Sequence, residues 1–266
     1  MTGKQYGNEA ESTGKRGRHR PVLEIAVQDL QGAHIAAHEG ADRIEVCAAL
    51  GATGGITPSY GTIRLCAQAG VRLGAEVLIR SRGGDFVFDR DEKVTQLAEI
   101  GSALEAGASG VVVGGLDRRG DIDLGFARDL IDEAHAQADR LGRRVDVVFH
   151  RAFDVARNQD DALETLISLG YTRVLTSGGA RSAPAGAATI ARLVEKADGR
   201  IQIMAGGGVY PKSMAKLSMT GVDALHLSAR LQIHSAGGPG GGGASALVER
   251  TDPAMVRRSV EAVGTI

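Results

Sequence analysis

The sequence predicts a single-domain (β/α)8 barrel of eight parallel strands, on three observations. Short β-branched runs recur along the chain, segments of helical spacing separate them, and a glycine closes most of those segments. The strand runs are Val22–Val27, Arg43–Cys47, Arg72–Ile79, Val111–Val113, Val145–Phe149, Arg173–Leu175, Ile201–Met204 and Ala224–Leu227. Helical periodicity is carried by Ala98, Ile100, Ala103, Leu104 and Gly107, and again by Ala162, Leu163, Leu166, Ile167 and Leu169. Asp89 with Glu92 fits a capping box, and Thr57-Pro58 and Tyr210-Pro211 place proline where a first helical residue tolerates it. Gly40, Gly70, Gly107, Gly142, Gly170, Gly199 and Gly221 suit the left-handed position that ends a helix. Strict alternation implies a parallel sheet, and eight units favour closure over an open sheet. The first strand is followed by Gln28-Asp29-Leu30 with no glycine before Gly32, which argues against a G-x-G-x-x-G dinucleotide fold.

Composition bounds the partners. The chain has 266 residues, 38 of them glycine, roughly twice the usual share. Its 31 basic and 32 acidic residues leave a formal charge of -1, so neither a nucleic-acid nor a membrane partner is expected. Cys47 and Cys66 cannot make a disulfide framework and point to a reducing, cytoplasmic setting. Residues 1–20, with Lys15, Arg16, Arg18 and Arg20, read as a disordered basic tail. Residues 21–234 form the barrel, and 235–266 a Gly-rich loop and a C-terminal helix, opened by Asp252-Pro253, that closes it.

Barrels of this kind carry their sites at the C-terminal ends of the strands. There the sequence places Glu24 on the first strand and Glu45 with Cys47 on one face of the second. Arg80, Arg82 and Asp85 follow the third, and His150, Arg151 and Asp154 the fifth. Ser177, Gly178 and Gly179 follow the sixth. The seventh carries Met204 and ends in Gly206, Gly207 and Gly208, and the eighth carries His226 and Ser228 on one face. Charges in buried strands need partners, each other or a ligand, so a structural ion-pair cluster is the alternative to a site. Glu24, Glu45, His150 and Asp154 are candidate general acids or bases. Arg80, Arg82, Arg151 and the glycine loops are candidate anion holders, since guanidinium groups and bare backbone N–H groups both suit phosphate or carboxylate. Glycines that only permit tight turns are the plainer alternative. None of the six lysines falls at a strand end, which argues against Schiff-base chemistry. No His-x-His spacing marks a zinc hydrolase; His34 and His38 read as a solvated helix face, and Cys66 as a small buried hydrophobe.

The motifs ADRIEVC…GGITPSYG at 41–61, IRSRGGDF at 79–86, FHRAFD at 149–154, RVLTSGGA at 173–180, IMAGGGV at 203–209 and HLSAR at 226–230 resemble the CutC family of copper-homeostasis proteins over about residues 22–230. The resemblance implies a TIM barrel, a cytoplasmic location, an assembly of identical subunits (a dimer favoured) and a role in copper handling through Cu(I), with Cys47 as the metal ligand. Two positions depart from the family pattern. Ala26 stands where many members have a first-strand cysteine, so no paired-thiolate site forms between the first two strands of one chain, and Ser81 stands where proline is usual. Two functions follow: a copper-binding homeostasis protein, or an enzyme acting on a small anionic or phosphorylated metabolite at the barrel mouth. A non-catalytic binding scaffold is a third.

Overall fold

In the computed structural model, residues 20–235 and 247–266 are described. The basic tail up to residue 19 and most of the Gly-rich loop, 236–246, lie outside them. Eight parallel strands close in sequence order: β1 (Val22–Val27), β2 (Arg43–Val46), β3 (Ala75–Leu78), β4 (Gly110–Val113), β5 (Asp146–Phe149), β6 (Arg173–Thr176), β7 (Gln202–Gly206) and β8 (Ala224–Leu227), with β8 pairing back onto β1. The outer ring holds α1 (Leu30–Glu39), α3 (Tyr60–Ala67), α4 (Arg90–Glu105), α5 (Leu124–Leu141), α6 (Gln159–Leu169), α7 (Ala187–Ala197), α8 (Pro211–Ser218) and α9 (Pro253–Gly264). A short α2 (Leu50–Thr53) and a 3-10 turn (Arg151–Val155) sit in strand-to-helix loops. The single-domain barrel is therefore the fold.

Local punctuation works largely as the sequence implies. Asp89 and Glu92 form the reciprocal capping box on α4. All seven helix-ending glycines have φ between 63° and 105°, the region where a Cβ is disfavoured. Pro211 opens α8, but Pro58 lies before α3, whose cap is Ser59 accepting from the Thr62 N–H. The third strand begins at Ala75 rather than Arg72, because Gly74 turns the chain at φ 82°.

One element went unread. Residues Arg230–His234 (β9) and Leu247–Thr251 (β10) form an antiparallel hairpin. Glu249 on β10 accepts from Gln28 Nε2 (3.0 Å) and the Gly51 N–H (2.9 Å), pinning the hairpin to the loops after β1 and β2. After it, α9 packs against α8 and α1 and completes the ring.

Strand side chains alternate, and the outward set packs under the helices in the main core. The inward set is layered. Leu78, Val112, Val148, Leu175, Met204 and Ala224, with Cys47, form a separate apolar cluster. By period two, this belt divides polar residues at the strand starts from polar residues at the strand ends.

Candidate functional site

The lower layer is an ion-pair network. Arg173 donates to Glu76 Oε1 (2.7 Å), Asp146 Oδ2 (3.0 Å) and Gln202 Oε1 (2.9 Å). Arg43 bonds Glu24 Oε2 and lies 3.4 Å from Glu76. Burial raises the Glu24 carboxyl, but Arg43, His226 and Arg173 outweigh it and hold the group far below its ordinary range. Burial first, and the Glu24 and Asp146 charges after it, push Glu76 up to about 8 against the pull of Arg173 and Arg43. Glu76 therefore keeps a proton at neutral pH, and Glu24 and Asp146 balance the two arginines. None of this network except Glu24 was foreseen. Counting back in twos from Glu45, Arg80 and Ser177 along their strands reaches Arg43, Glu76 and Arg173, so the signal was present.

Above the belt lies a cavity of about 540 Å³, within the range of small-molecule sites. Glu45, Arg80, His150 and Arg151 line it, with Gly207, Gly208, His226 and Ser228. Phe86 and Arg230, unforeseen, line it too. Of its three arginines, Arg151 is paired with Asp154 and Arg230 with Glu249, which leaves Arg80 without a carboxylate partner among the described residues.

His150 is 4% exposed. Its Nδ1 accepts the Ala152 N–H (3.2 Å), which leaves the proton on Nε2. Burial, reinforced by Arg80, pushes its pKa down to about 3, so the ring is a neutral donor rather than a base at pH 7. Gly114 is required beside it: a Cβ there would stand 2.8 Å from ring atoms of His150. Arg80 is anchored by donating to the carbonyls of Thr53 (3.1 Å), Gly55 (3.0 Å) and Gly84 (2.7 Å). Phe86 packs on both, 4.8 Å from the Arg80 guanidinium and 5.0 Å from the His150 ring centre. Arg80 Nε and His150 Nε2 are buried and have no hydrogen-bond partner among the described residues. Such groups cost about 1–3 kcal/mol each unless something fills them.

The glycine loop after β6 does cradle an anion, and the anion is the protein's own. Asp154 Oδ1 accepts from Thr176 Oγ1 (2.6 Å) and from the N–H groups of Ser177 (2.8 Å) and Gly179 (3.2 Å), while Oδ2 accepts from Arg151 Nε (2.8 Å). Asp154 thus positions Arg151 instead of lining the cavity. Ser177 accepts from Arg151 Nη2 (3.1 Å), and the Gly178 N–H is taken by Thr176. The Arg151 guanidinium lies over Gly207, where a Cβ would come within 2.9 Å of it.

Other expected site residues fall elsewhere. Arg82 is bound to Glu92 and Asp85 beside Phe88, and with exposed Asp85 it lies off the cavity. Glu24 is one layer below, Gly206 and Met204 are interior, and Met204 Sδ accepts from Arg43 (3.6 Å). Cys47 is fully buried and its thiol donates to the Val27 carbonyl (3.6 Å). Burial, then the charge of Glu45, pushes that thiol well above its usual range. Cu(I) would have to displace that proton and the bond to Val27, and Ala26 leaves no second thiolate on the neighbouring strand. Among the described residues, no group of three or more His, Cys, Asp and Glu is placed to hold a metal ion.

A cavity of ligand size at the C-terminal mouth of a closed barrel places the chain among the (β/α)8 proteins. The CutC family model matches residues 21–231. A family protein CutC from Agrobacterium fabrum is 48% identical over 74% of this chain and 74% of its own, and one from Pasteurella multocida 42% identical over 78% and 82%. The crystal structure of a copper homeostasis protein CutC from Streptococcus agalactiae superposes with TM-score 0.70 at 31% identity, covering 77% of this chain and 97% of that one. The chain belongs to the CutC family. Likeness to 2,3-dimethylmalate lyase, TM-score 0.58 at 11% identity, shows the barrel fold alone. No described helix is long and apolar enough to cross a membrane.

Proposed function

We propose that the chain takes the copper-homeostasis role carried by the name of its Streptococcus agalactiae relative, and that its molecular work is done on a small anionic metabolite held at the barrel mouth. The cellular role rests on the family. The molecular one rests on a single observation: Arg80 and His150, each with a buried nitrogen that has no partner among the described residues, line one cavity together with Arg151. A fixed guanidinium and a neutral imidazole donor suit a carboxylate or phosphate oxygen. Calorimetric titration with oxalate and inorganic phosphate tests it. Binding is expected for at least one, weakened about tenfold by Arg151→Ala. Absence of binding by both, or no effect of Arg151→Ala, overturns the reading.

A second reading keeps Cu(I) as cargo. Its support is that Cys47 and Met204, two soft donors, share one inner cluster. Against it stands the protonated, hydrogen-bonded thiol. Cu(I) titration against a strong chelator decides: equal affinity of wild type and Cys47→Ser removes Cys47 as the ligand. In this reading as in the first, the protein works in the cytoplasm as an assembly of identical subunits, a dimer, which light scattering in solution checks.

A further inference from the structure

The polar contacts of the interior run past the apolar belt along β2, β1 and β8. Glu24 on β1 lies in register with Arg43 on one side and His226 on the other. Arg43 grips Glu24 Oε2, and the other oxygen, Oε1, is 2.7 Å from His226 Nδ1. Ionised Glu24 takes the Nδ1 proton in a hydrogen bond and so sets the tautomer and orientation of the ring. The far nitrogen, Nε2, is 3.8 Å from Glu45 Oε2. Glu45 and His226 line the cavity, and Glu24 does not. The charged and titratable groups acting on the pair are Glu24 and Arg43. A carboxyl and an imidazole 3.8 Å apart thus line one cavity with Arg80 and His150.

We propose that Glu45, with His226 as its proton partner, transfers a proton at a carbon beside a carbonyl group in a small anionic substrate, while the N–H groups of Arg80 and His150 receive the carbonyl oxygen. The inference rests on the anion-site reading above and gives it a reaction class. In the step, the C–H bond next to the carbonyl breaks and its proton passes to the Glu45 carboxylate. The bonding pair becomes the C–C double bond, and the carbonyl π pair moves onto oxygen as an enolate. The two N–H donors meet that charge where it develops. Return of the proton from Glu45 to carbon restores the carbonyl, so no oxidant, reductant or co-reactant enters. Glu24 and Arg43 are positioning residues, acting through His226.

Deuterium uptake in D2O tests it, with pyruvate as the carboxylate probe and dihydroxyacetone phosphate as the phosphate probe, read by proton NMR. Wild type is expected to speed uptake at the carbon beside the carbonyl of one probe by about 100-fold over protein-free buffer; which probe responds tells carboxylate from phosphate. Glu45→Gln is expected to lose that rate while binding oxalate within about threefold of wild type. His226→Gln is expected to lower the rate about tenfold and to shift the pH limb of the exchange, which a purely structural role would not do. If Glu45→Gln does not fold, Glu45→Asp is read instead, with a fall of about tenfold. Oxalate binding without faster uptake of either probe overturns this inference alone, as does wild-type uptake in Glu45→Gln. Failure of wild type to bind oxalate or inorganic phosphate overturns it together with the anion-site reading.

Discussion

Both ends of the barrel interior hold arginine, glutamate and a polar partner or two, yet their arginines are matched differently. Below the belt, Arg173 spends three nitrogens on Glu76, Asp146 and Gln202, and Arg43 is shared between Glu24, Glu76 and Met204. Above it, Arg80 spends two nitrogens on loop carbonyls, and its third, with the free nitrogen of His150, goes unmatched. Below the belt one oxygen, Glu76 Oε2, is also without a partner among the described residues, so the contrast lies in the cations: both lower arginines are matched to carboxyls, and Arg80 is matched to none. A buried donor without a partner is a cost that a ligand can remove. The contrast separates scaffold from site better than residue type does.

The largest way to break the comparison is at the bottom. Arg173→Met takes the donor from Glu76 and Asp146 and one of the cations that hold buried Glu24 ionised, and is expected to cost about 3–5 kcal/mol in urea unfolding. Oxalate affinity of the folded protein should stay the same; a parallel loss would merge the two ends into one device.

Next comes pH. The unfolded chain protonates His150 near 6.5 and the folded chain only near 3. At this ring the unfolded state therefore binds more protons between those values, so the contribution of His150 to stability falls as pH drops, by roughly 5 kcal/mol at the acid end, while Glu45 and Glu76, raised to about 7 and about 8, contribute in the opposite direction above pH 4.5. Glu24, held low by Arg43, adds loss in the same direction below pH 4.5. His150→Phe should remove the first part and leave the rest, so the difference between the two unfolding curves isolates the ring.

At neutral pH the same variant sharpens the contrast. His150→Phe deletes an unsatisfied donor but also the Nδ1 acceptor of the buried Ala152 N–H, two opposed effects of about 1–3 kcal/mol each, so stability should change little. Oxalate affinity should fall about tenfold, near 1.4 kcal/mol. A large loss of stability instead would make His150 part of the scaffold.

The smallest effect is at Arg82. Its ion pair with Glu92 is 38% exposed on the arginine side, and such pairs contribute roughly 0–1 kcal/mol. Arg82→Ala should change thermal stability little and oxalate affinity not at all, unlike Arg151→Ala.

Much of this was legible early. Strand and helix order, the helix-ending glycines and the capping box are local effects, set by periodicity and backbone sterics within a few residues. Glu45, His150 and Arg151 were legible as mouth residues because strand ends face the mouth. Roles were not. Asp154 looked like an acid or base and proved to be the carboxylate that the β6 loop was built to hold, because its partners come from another strand. Arg82 looked equivalent to Arg80, two residues away, but a loop turn sends one outward and the other under Phe86. The hairpin at Arg230 and Leu247 escaped because its pairing spans the Gly-rich segment between its strands.

Residue order alone carries the barrel, the polar strand ends and the missing cysteine at Ala26, since each depends on local pattern or identity. Closure decided the rest. Only when β8 pairs back onto β1 does His226, 202 residues away in the chain, come to Glu24, and through it to Glu45. No spacing rule reaches that far, because the contact is made by the ring as a whole. The same holds for charge: Glu24, Glu45 and Glu76 are one residue type, burial pushes all three up, and only at Glu24 do Arg43, His226 and Arg173 outweigh it and keep an anion.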